Sequence, residues 1–331
     1  MKLPGVRATV RTARWIRSRV LDSALILGYH RIDEVDDDPY SLRVSVSHFA
    51  EQLAVLRREC SPISLQQLLE GLDNRQLPRQ AVVLTFDDGY AGTLHYVKPL
   101  LERFDIPATV FITTGCMGRE FWWDLLARTL RSVRAFPERL CLSLDGRPYL
   151  WSAGQAIRPP GPRRELETLQ KILPSLYEWL RPLPVAERDL ALSQLAQRLQ
   201  LADDLAPINL SLTPEEVIEL AKSNWIEIGA HSVTHPVLET LPVAQKQWEI
   251  QASKARLEEL LAEPVRSFSY PNGSSGRLTR AVVQEAGFTC ACTSTNDVTW
   301  RGSDRFRLPR FWIPDWGGVR FAAWLKHWLR H

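Results

Sequence analysis

Four stretches of this 331-residue chain carry side chains that could do acid–base or metal chemistry. They are Asp87-Asp88, His231-x-x-x-His235, Tyr270-Pro271-Asn272-Gly273 and Leu308-Pro309-Arg310. Two imidazoles and one carboxylate suit a borderline divalent metal, zinc first among the candidates. One carboxylate is then left over. Water bound to such a metal drops in pKa from about 15.7 toward about 7, and the spare carboxylate could take its proton as it attacks a carbonyl. Each piece is ambiguous alone. Asp-Asp-Gly is also an ordinary turn. A His pair at i, i+4 also occurs on helix faces, although Pro236 disfavours a helical His235 and suggests a loop. Tyr-Pro-Asn-Gly is first of all a turn.

The elements that must position these residues alternate between two periods. Leu25 to His30, Ala81 to Phe86, Ala108 to Ile112, Trp225 to Ala230, Ser267 to Tyr270 and Thr289 to Thr293 read as buried strands, and Arg307 to Phe311 as an edge strand. Helical spacing covers Phe49 to Arg58, with Ser47 as cap, and Leu65 to Leu69, with Ser64 as cap. It recurs over Tyr96 to Phe104, Val243 to Leu261 and Leu278 to Ala286. Thr213, Pro214 at the first helical position and Glu216 make a capping box. Strand, helix, strand within about 30 residues is a βαβ unit and implies a parallel sheet. The simplest architecture is an incomplete parallel α/β barrel, interrupted by a helical insertion over about 120–214. In such barrels chemistry is built where the C-terminal strand ends meet. All four stretches lie at or within predicted strands, so residues far apart in sequence should converge.

With these residues in view, the chain resembles the NodB-homology polysaccharide deacetylases, the family 4 carbohydrate esterases. Thr85-Phe86-Asp87-Asp88-Gly89 and His231-Ser232-x-x-His235 resemble the family's first two motifs, and Phe268 to Gly273 its third. Gly28-Tyr29-His30-Arg31, Pro107 to Phe111 and Leu308-Pro309-Arg310 resemble its YHR, PATFF and LPR strands, so the likeness runs from about Leu25 to Ile313 apart from the insertion. The resemblance implies a distorted, incomplete (β/α)7 barrel and metal-dependent removal of acyl groups from sugars. It implies Asp87 as the base, and Asp88, His231 and His235 as the metal ligands. It also implies an oxyanion donor in the backbone N–H of Tyr270, beside Pro271. Many members carry an arginine shortly before the third-motif proline, where this chain has Ser269; Arg310 is expected to replace it from the last strand and orient Asp87. The LxH histidine that usually serves as general acid is absent near Leu308. His30 could serve, or could be a hydrogen-bonded core residue.

The substrate class this implies is an N-acetylated polysaccharide or a lipid-linked glycan. The alternatives are an inactive carbohydrate-binding barrel in an assembly complex, and a deformylase or deacylase of a lipid-linked precursor. Trp122 and Trp123 could line a sugar groove, but packing is the preferred reading. Lys plus Arg is 41 and Asp plus Glu is 38, which makes no case for a nucleic-acid partner. Residues 1–21 hold six cations and no acid, forming a basic N-terminal arm before a domain over 22–331. At about 318–331, Phe321, Trp324, Leu325, Trp328 and Leu329 form the apolar face of a basic amphipathic helix. That helix closes the barrel's last side or, with the arm, rests on an anionic membrane. No signal peptide and no apolar run of about 18 residues is seen. The five scattered cysteines read as reduced thiols. The expected location is therefore the cytoplasm, with peripheral contact at the inner face of the membrane as an extension. Oligomeric state is not legible.

Overall fold

The structure, a computed structural model, describes residues 22–34, 38–132, 139–144, 147–152, 172–199 and 209–329. The basic arm lies outside these, as does the Pro- and Arg-rich link at 158–162. The chain divides into two compact units, 1–117 with 212–331, and 118–211.

In the first unit, nine strands of the described residues form one sheet. In chain order they are β1 (Ser23–Tyr29), β2 (Ser61–Pro62), β3 (Ala81–Phe86), β4 (Ala108–Ile112), β5 (Ile226–Ala230), β6 (Ser267–Ser269), β7 (Cys290–Cys292), β8 (Thr299–Trp300) and β9 (Phe311–Trp312). The path β7-β6-β5-β4-β3-β1 is parallel throughout. The 308–313 segment links its two ends. Leu308 exchanges backbone bonds with Ala291 and Thr293 beside β7, while β9 pairs with β1 and Ile313 N–H donates to Gly28 O. The sheet therefore curls into the expected incomplete barrel of seven parallel positions.

Strand parity explains where polar side chains collect, because successive residues face opposite sides. Ala24, Ile26, Ala81, Val83, Phe111, Cys290 and Cys292 form one buried apolar cluster with Leu308, on the inner face. Leu25, Leu27, Val82, Leu84 and Val110 belong to the other, shared with the outer helices. Continuing the inner parity past the strand ends reaches His30, Thr85, Asp87, His231 and Ser269, which cap the apolar interior with a polar layer.

The helices of this unit are α1 (Val46–Glu59), α2 (Leu65–Asn74), α3 (Lys98–Phe104), α4 (Pro214–Ala221), α5 (Val243–Leu261), α6 (Arg277–Glu285) and α7 (Gly318–Trp328). The capping boxes at Ser64/Gln67 and Thr213/Glu216 are both present. Ser45, not Ser47, caps α1, its side chain accepting from His48 N–H; the helix begins earlier than its apolar spacing suggested. Helix α7 lays Phe321 and Leu325 into the core, and Trp324 and Trp328 pack on Phe311 with ring centroids 5.5 and 4.7 Å away. The helix packs on the barrel as the barrel-closing reading expects, with Trp324 and Trp328 half-buried. Among the described residues no helix is long and apolar enough to cross a membrane.

The second unit departs from the expected helical insertion. Besides helices at Trp122–Arg131 and Val185–Arg198 it contains an antiparallel hairpin, Arg139–Leu144 with Arg147–Ser152. The sequence signal for it was Asp145-Gly146, a two-residue connection of the kind hairpins favour. Trp122 stacks on Tyr177 at 5.0 Å and Trp123 on Phe121 at 4.5 Å, and both are buried, as the packing reading holds. The unit's ends meet through an antiparallel bridge between Glu120 and Leu210.

Candidate metal and catalytic centre

The strand β3 stops at Phe86, and the next two residues do different things. Asp87 stays in register, its N–H donating to Tyr29 O at 2.9 Å. Asp88 turns into the left-handed region at φ 72°, followed by Gly89 at φ 81°. A left-handed, non-glycine backbone costs on the order of 1 kcal/mol. Here it reverses the alternation, so that two adjacent carboxylates both reach the inner pocket. Ser232 and His235 are also left-handed, at φ 65° and 54°. Such conformations cluster where a local shape serves a site.

The result is a compact donor set. Asp88, His231 and His235 each present one ligand atom, and these atoms all lie within 4.8 Å of one another. The Nε2 atoms of both histidines are 3.5 Å from Asp88 Oδ1. His231 Nδ1 lies 2.8 Å from Ser269 O. A carbonyl can only accept, so Nδ1 carries the proton and Nε2 keeps its lone pair toward Asp88. Burial lowers the His231 pKa, which favours the same neutral, ligating form. A carbonyl behind a histidine is how metal-ligating imidazoles are usually fixed. By chemistry and spacing this donor set fits a divalent metal.

Asp87 stands beside the set, with Oδ2 3.8 Å from His231 Nε2, and Arg310 holds it. The guanidinium makes two parallel bonds of 2.7 Å, Nη1 to Oδ1 and Nη2 to Oδ2. Nη1 also donates to Thr85 Oγ1, Nη2 to Ser269 Oγ, and Nε to Thr293 O. Five bonds account for the five N–H donors of an arginine, so a fully buried cation is satisfied. Ser269 joins the network in its own right, donating to Asp87 Oδ2 at 3.0 Å. Burial would raise the Asp87 carboxyl, but Arg310 and then His231 outweigh it and hold it well below the usual carboxylate range. Three of its roughly four acceptor positions are filled, leaving one on Oδ1 to receive a proton.

His30 faces the same pocket, stacked on Trp312 at 4.3 Å. Burial pushes its pKa down to about 4, against a raising effect of Asp87, so it is neutral at pH 7. Trp312, which sequence reasoning did not single out, also lies under the Arg310 guanidinium, 4.7 Å from its ring centroid. Its signal was Gly28: a Cβ there would sit 2.7 Å from the Trp312 ring, so only glycine lets the indole lie flat on β1.

One expectation needs correction. The Tyr270 N–H, carried over as oxyanion donor, donates to Cys292 O at 3.1 Å. It continues the ladder between β6 and β7 and does not point into the pocket as an open donor. Pro271 has no N–H, so this turn presents no oxyanion donor from either residue. Pro271 itself is buried.

Comparison with known proteins agrees with the fold. The family model described as polysaccharide deacetylase matches residues 74–134 and 167–291. Over 84 residues the chain is 37% identical to a poly-beta-1,6-N-acetyl-D-glucosamine N-deacetylase of Escherichia coli (strain K12), covering 25% of this chain and 12% of that protein. Over 117 residues it is 28% identical to a protein of the same name from Staphylococcus aureus (strain MSSA476), covering 31% and 40% respectively. The chain thus spans well under two thirds of these relatives' length. Among solved structures, it superposes on IcaB from Ammonifex degensii with a TM-score of 0.59 at 19% identity, covering 92% of this chain and 97% of that one. The Streptococcus pyogenes deacetylase PplD, in complex with acetate, gives 0.57 at 17% identity, covering 88% and 93%.

Proposed function

Because the chain belongs to the polysaccharide deacetylase family, we propose that it is a metal-dependent hydrolase removing N-acetyl groups from an N-acetylglucosamine polymer. One observation carries this reading. Asp88, His231 and His235 converge beside an Asp87 carboxylate that Arg310 clamps with two 2.7 Å bonds. A pure carbohydrate binder has no use for two carboxylates, two imidazoles and a buried guanidinium arranged this way, which argues against the inactive-barrel alternative. The names of the relatives support the substrate class.

A divalent metal, zinc first among the candidates, held by Asp88 Oδ1 and the two Nε2 atoms would act as a Lewis acid on water and on the acyl carbonyl. The protein's own residues do the rest. Arg310 and Ser269 fix the Asp87 plane, so that the open position on Oδ1 accepts the proton of the attacking water. Ser269 O keeps His231 in the ligating tautomer. His30, neutral at rest and beside the same pocket, is our candidate to relay a proton to the departing amine. Tyr270 N–H is committed to Cys292 O, so this chain's third-motif turn contributes no N–H to the acyl oxygen. The test is acetate and free-amine release from poly-β-1,6-N-acetylglucosamine and from lipid-linked N-acetyl sugars, after chelation and after Zn2+ or Co2+ is returned. Release that chelation abolishes and metal restores is expected. Binding of these glycans without any release would favour the inactive barrel instead.

A further inference from the structure

The Ser232–His235 loop carries one of the three ligands, and hydrogen bonds tie down its backbone from several neighbours. On one side, Thr114 N–H donates to Ser232 O at 3.1 Å and Gly115 N–H to Val233 O at 2.8 Å. The approach is so close that a Cβ on Gly115 would lie 2.6 Å from Val233 O. Within the loop, His235 N–H donates to Ser232 Oγ at 3.1 Å. The N–H groups of Val233 and Thr234 both end on Glu249 Oε2, at 2.8 and 2.9 Å. The Thr234 hydroxyl donates to Glu249 Oε1 in a short bond.

Glu249 lies in the middle of α5 and is 4% exposed. Three donors from one loop, not a lysine or arginine, satisfy this buried carboxylate. Charge-assisted bonds of this kind are shorter and stronger than neutral ones. They are directed at the segment between Ser232 and His235, the two residues held in the left-handed region. A backbone shape that ordinary residues avoid persists only where the surroundings over-determine it. Glu249 takes the N–H groups of Val233 and Thr234, while Thr114 and Gly115 hold the carbonyls of Ser232 and Val233.

We infer that Glu249 is a positioning residue for the metal ligand His235: it holds the loop in the one backbone shape that brings His235 Nε2 to 3.5 Å from Asp88 Oδ1. The inference rests on the reading of Asp88, His231 and His235 as a metal site. It assigns Glu249 no contact with substrate and no part in proton transfer.

The experiment is a Zn2+ titration of the full chain against a chromophoric chelator, with thermal unfolding in excess chelator as the measure of metal-free stability. Glu249→Ala is expected to weaken Zn2+ binding 10- to 100-fold, the usual range when the support behind a ligand is removed. Glu249→Gln should stay within about threefold of wild type. Its carbonyl can take both backbone N–H groups, and its amide can face a Thr234 hydroxyl turned round to accept. A residue that merely stabilised α5 would lower the unfolding temperature without separating the two variants in metal affinity. Folded Glu249→Ala with wild-type affinity overturns the inference while leaving the metal site intact. A wild-type chain that binds no Zn2+ overturns the site reading, and the inference with it. Should Glu249→Ala not fold, Thr234→Val decides: it strands Oε1 without its donor and should weaken binding several-fold, and unchanged affinity there overturns the inference.

Discussion

Asp87 and Asp88 are chemically identical and adjacent, and the backbone alone gives them different work. Asp87 follows the strand into the grip of Arg310, whereas Asp88 turns left-handed toward the histidines. Asp87→Asn should therefore keep the metal and lose roughly 10²–10⁴-fold in rate, the range for a positioned base; measured metal content separates this from a ligand's behaviour. Arg310→Met would leave the Asp87 carboxylate buried without its cation, at a cost of about 3–5 kcal/mol in urea unfolding. His30 gives a pH test. Its folded pKa of about 4 lies below the unfolded value of about 6.5. The stability that neutral His30 supplies is then present above about pH 6.5 and is lost as pH falls from there toward 4. By linkage the loss at pH 5 is on the order of 2 kcal/mol, and His30→Gln should show a correspondingly flatter decline in metal-free unfolding. At this scale the sequence was informative wherever a residue type has few uses. Two His four apart before a proline, and a cation required near a base aspartate, pointed to groups that do converge. The Tyr270 N–H was misread because an amide's availability depends on the neighbouring strand, and motif spacing carries no trace of the Cys292 carbonyl. Glu249 was invisible because one glutamate on a charged helix looks like any other.

Elements were legible where period, length and caps agreed. Helix α5 runs over Val243–Leu261 as its spacing indicated, and both capping boxes form. The misses came where a local signal competed with its surroundings. The hairpin in the second unit was hidden in a stretch taken as helical, although Asp145-Gly146 sits between runs with strand-like residues. The closing segment, expected as an edge strand over Arg307 to Phe311, does pair on both sides. It is short, and it owes its position to bonds with β7 on one side and β1 on the other. That dependence makes Gly28 a sensitive point. In Gly28→Ala the new Cβ meets the Trp312 ring at 2.7 Å, so β9 must shift and Arg310 with it. A loss of about 1–3 kcal/mol is expected from such overpacking, read by urea unfolding, together with a fall in activity larger than the stability loss alone would cause.

Across the whole molecule, the ionisable groups of the candidate centre sit together in one polar layer at the C-terminal strand ends, above the apolar cluster of the inner face. The C-terminal helix closes the outside with its tryptophans on Phe311. Trp324→Ala is accordingly expected to lower thermal stability and to leave sedimentation with anionic vesicles unchanged, whereas a tryptophan anchor in lipid would show the opposite pattern. The central claim is that Asp88, His231 and His235 form one metal site with Asp87 outside it. Metal content of the purified chain, measured by elemental analysis in wild type, Asp87→Asn and His231→Ala after the same Zn2+ loading and dialysis, tests it most directly. About one equivalent is expected in wild type and in Asp87→Asn, and a large loss in His231→Ala. Full metal retention in His231→Ala, or its loss in Asp87→Asn alone, would contradict it.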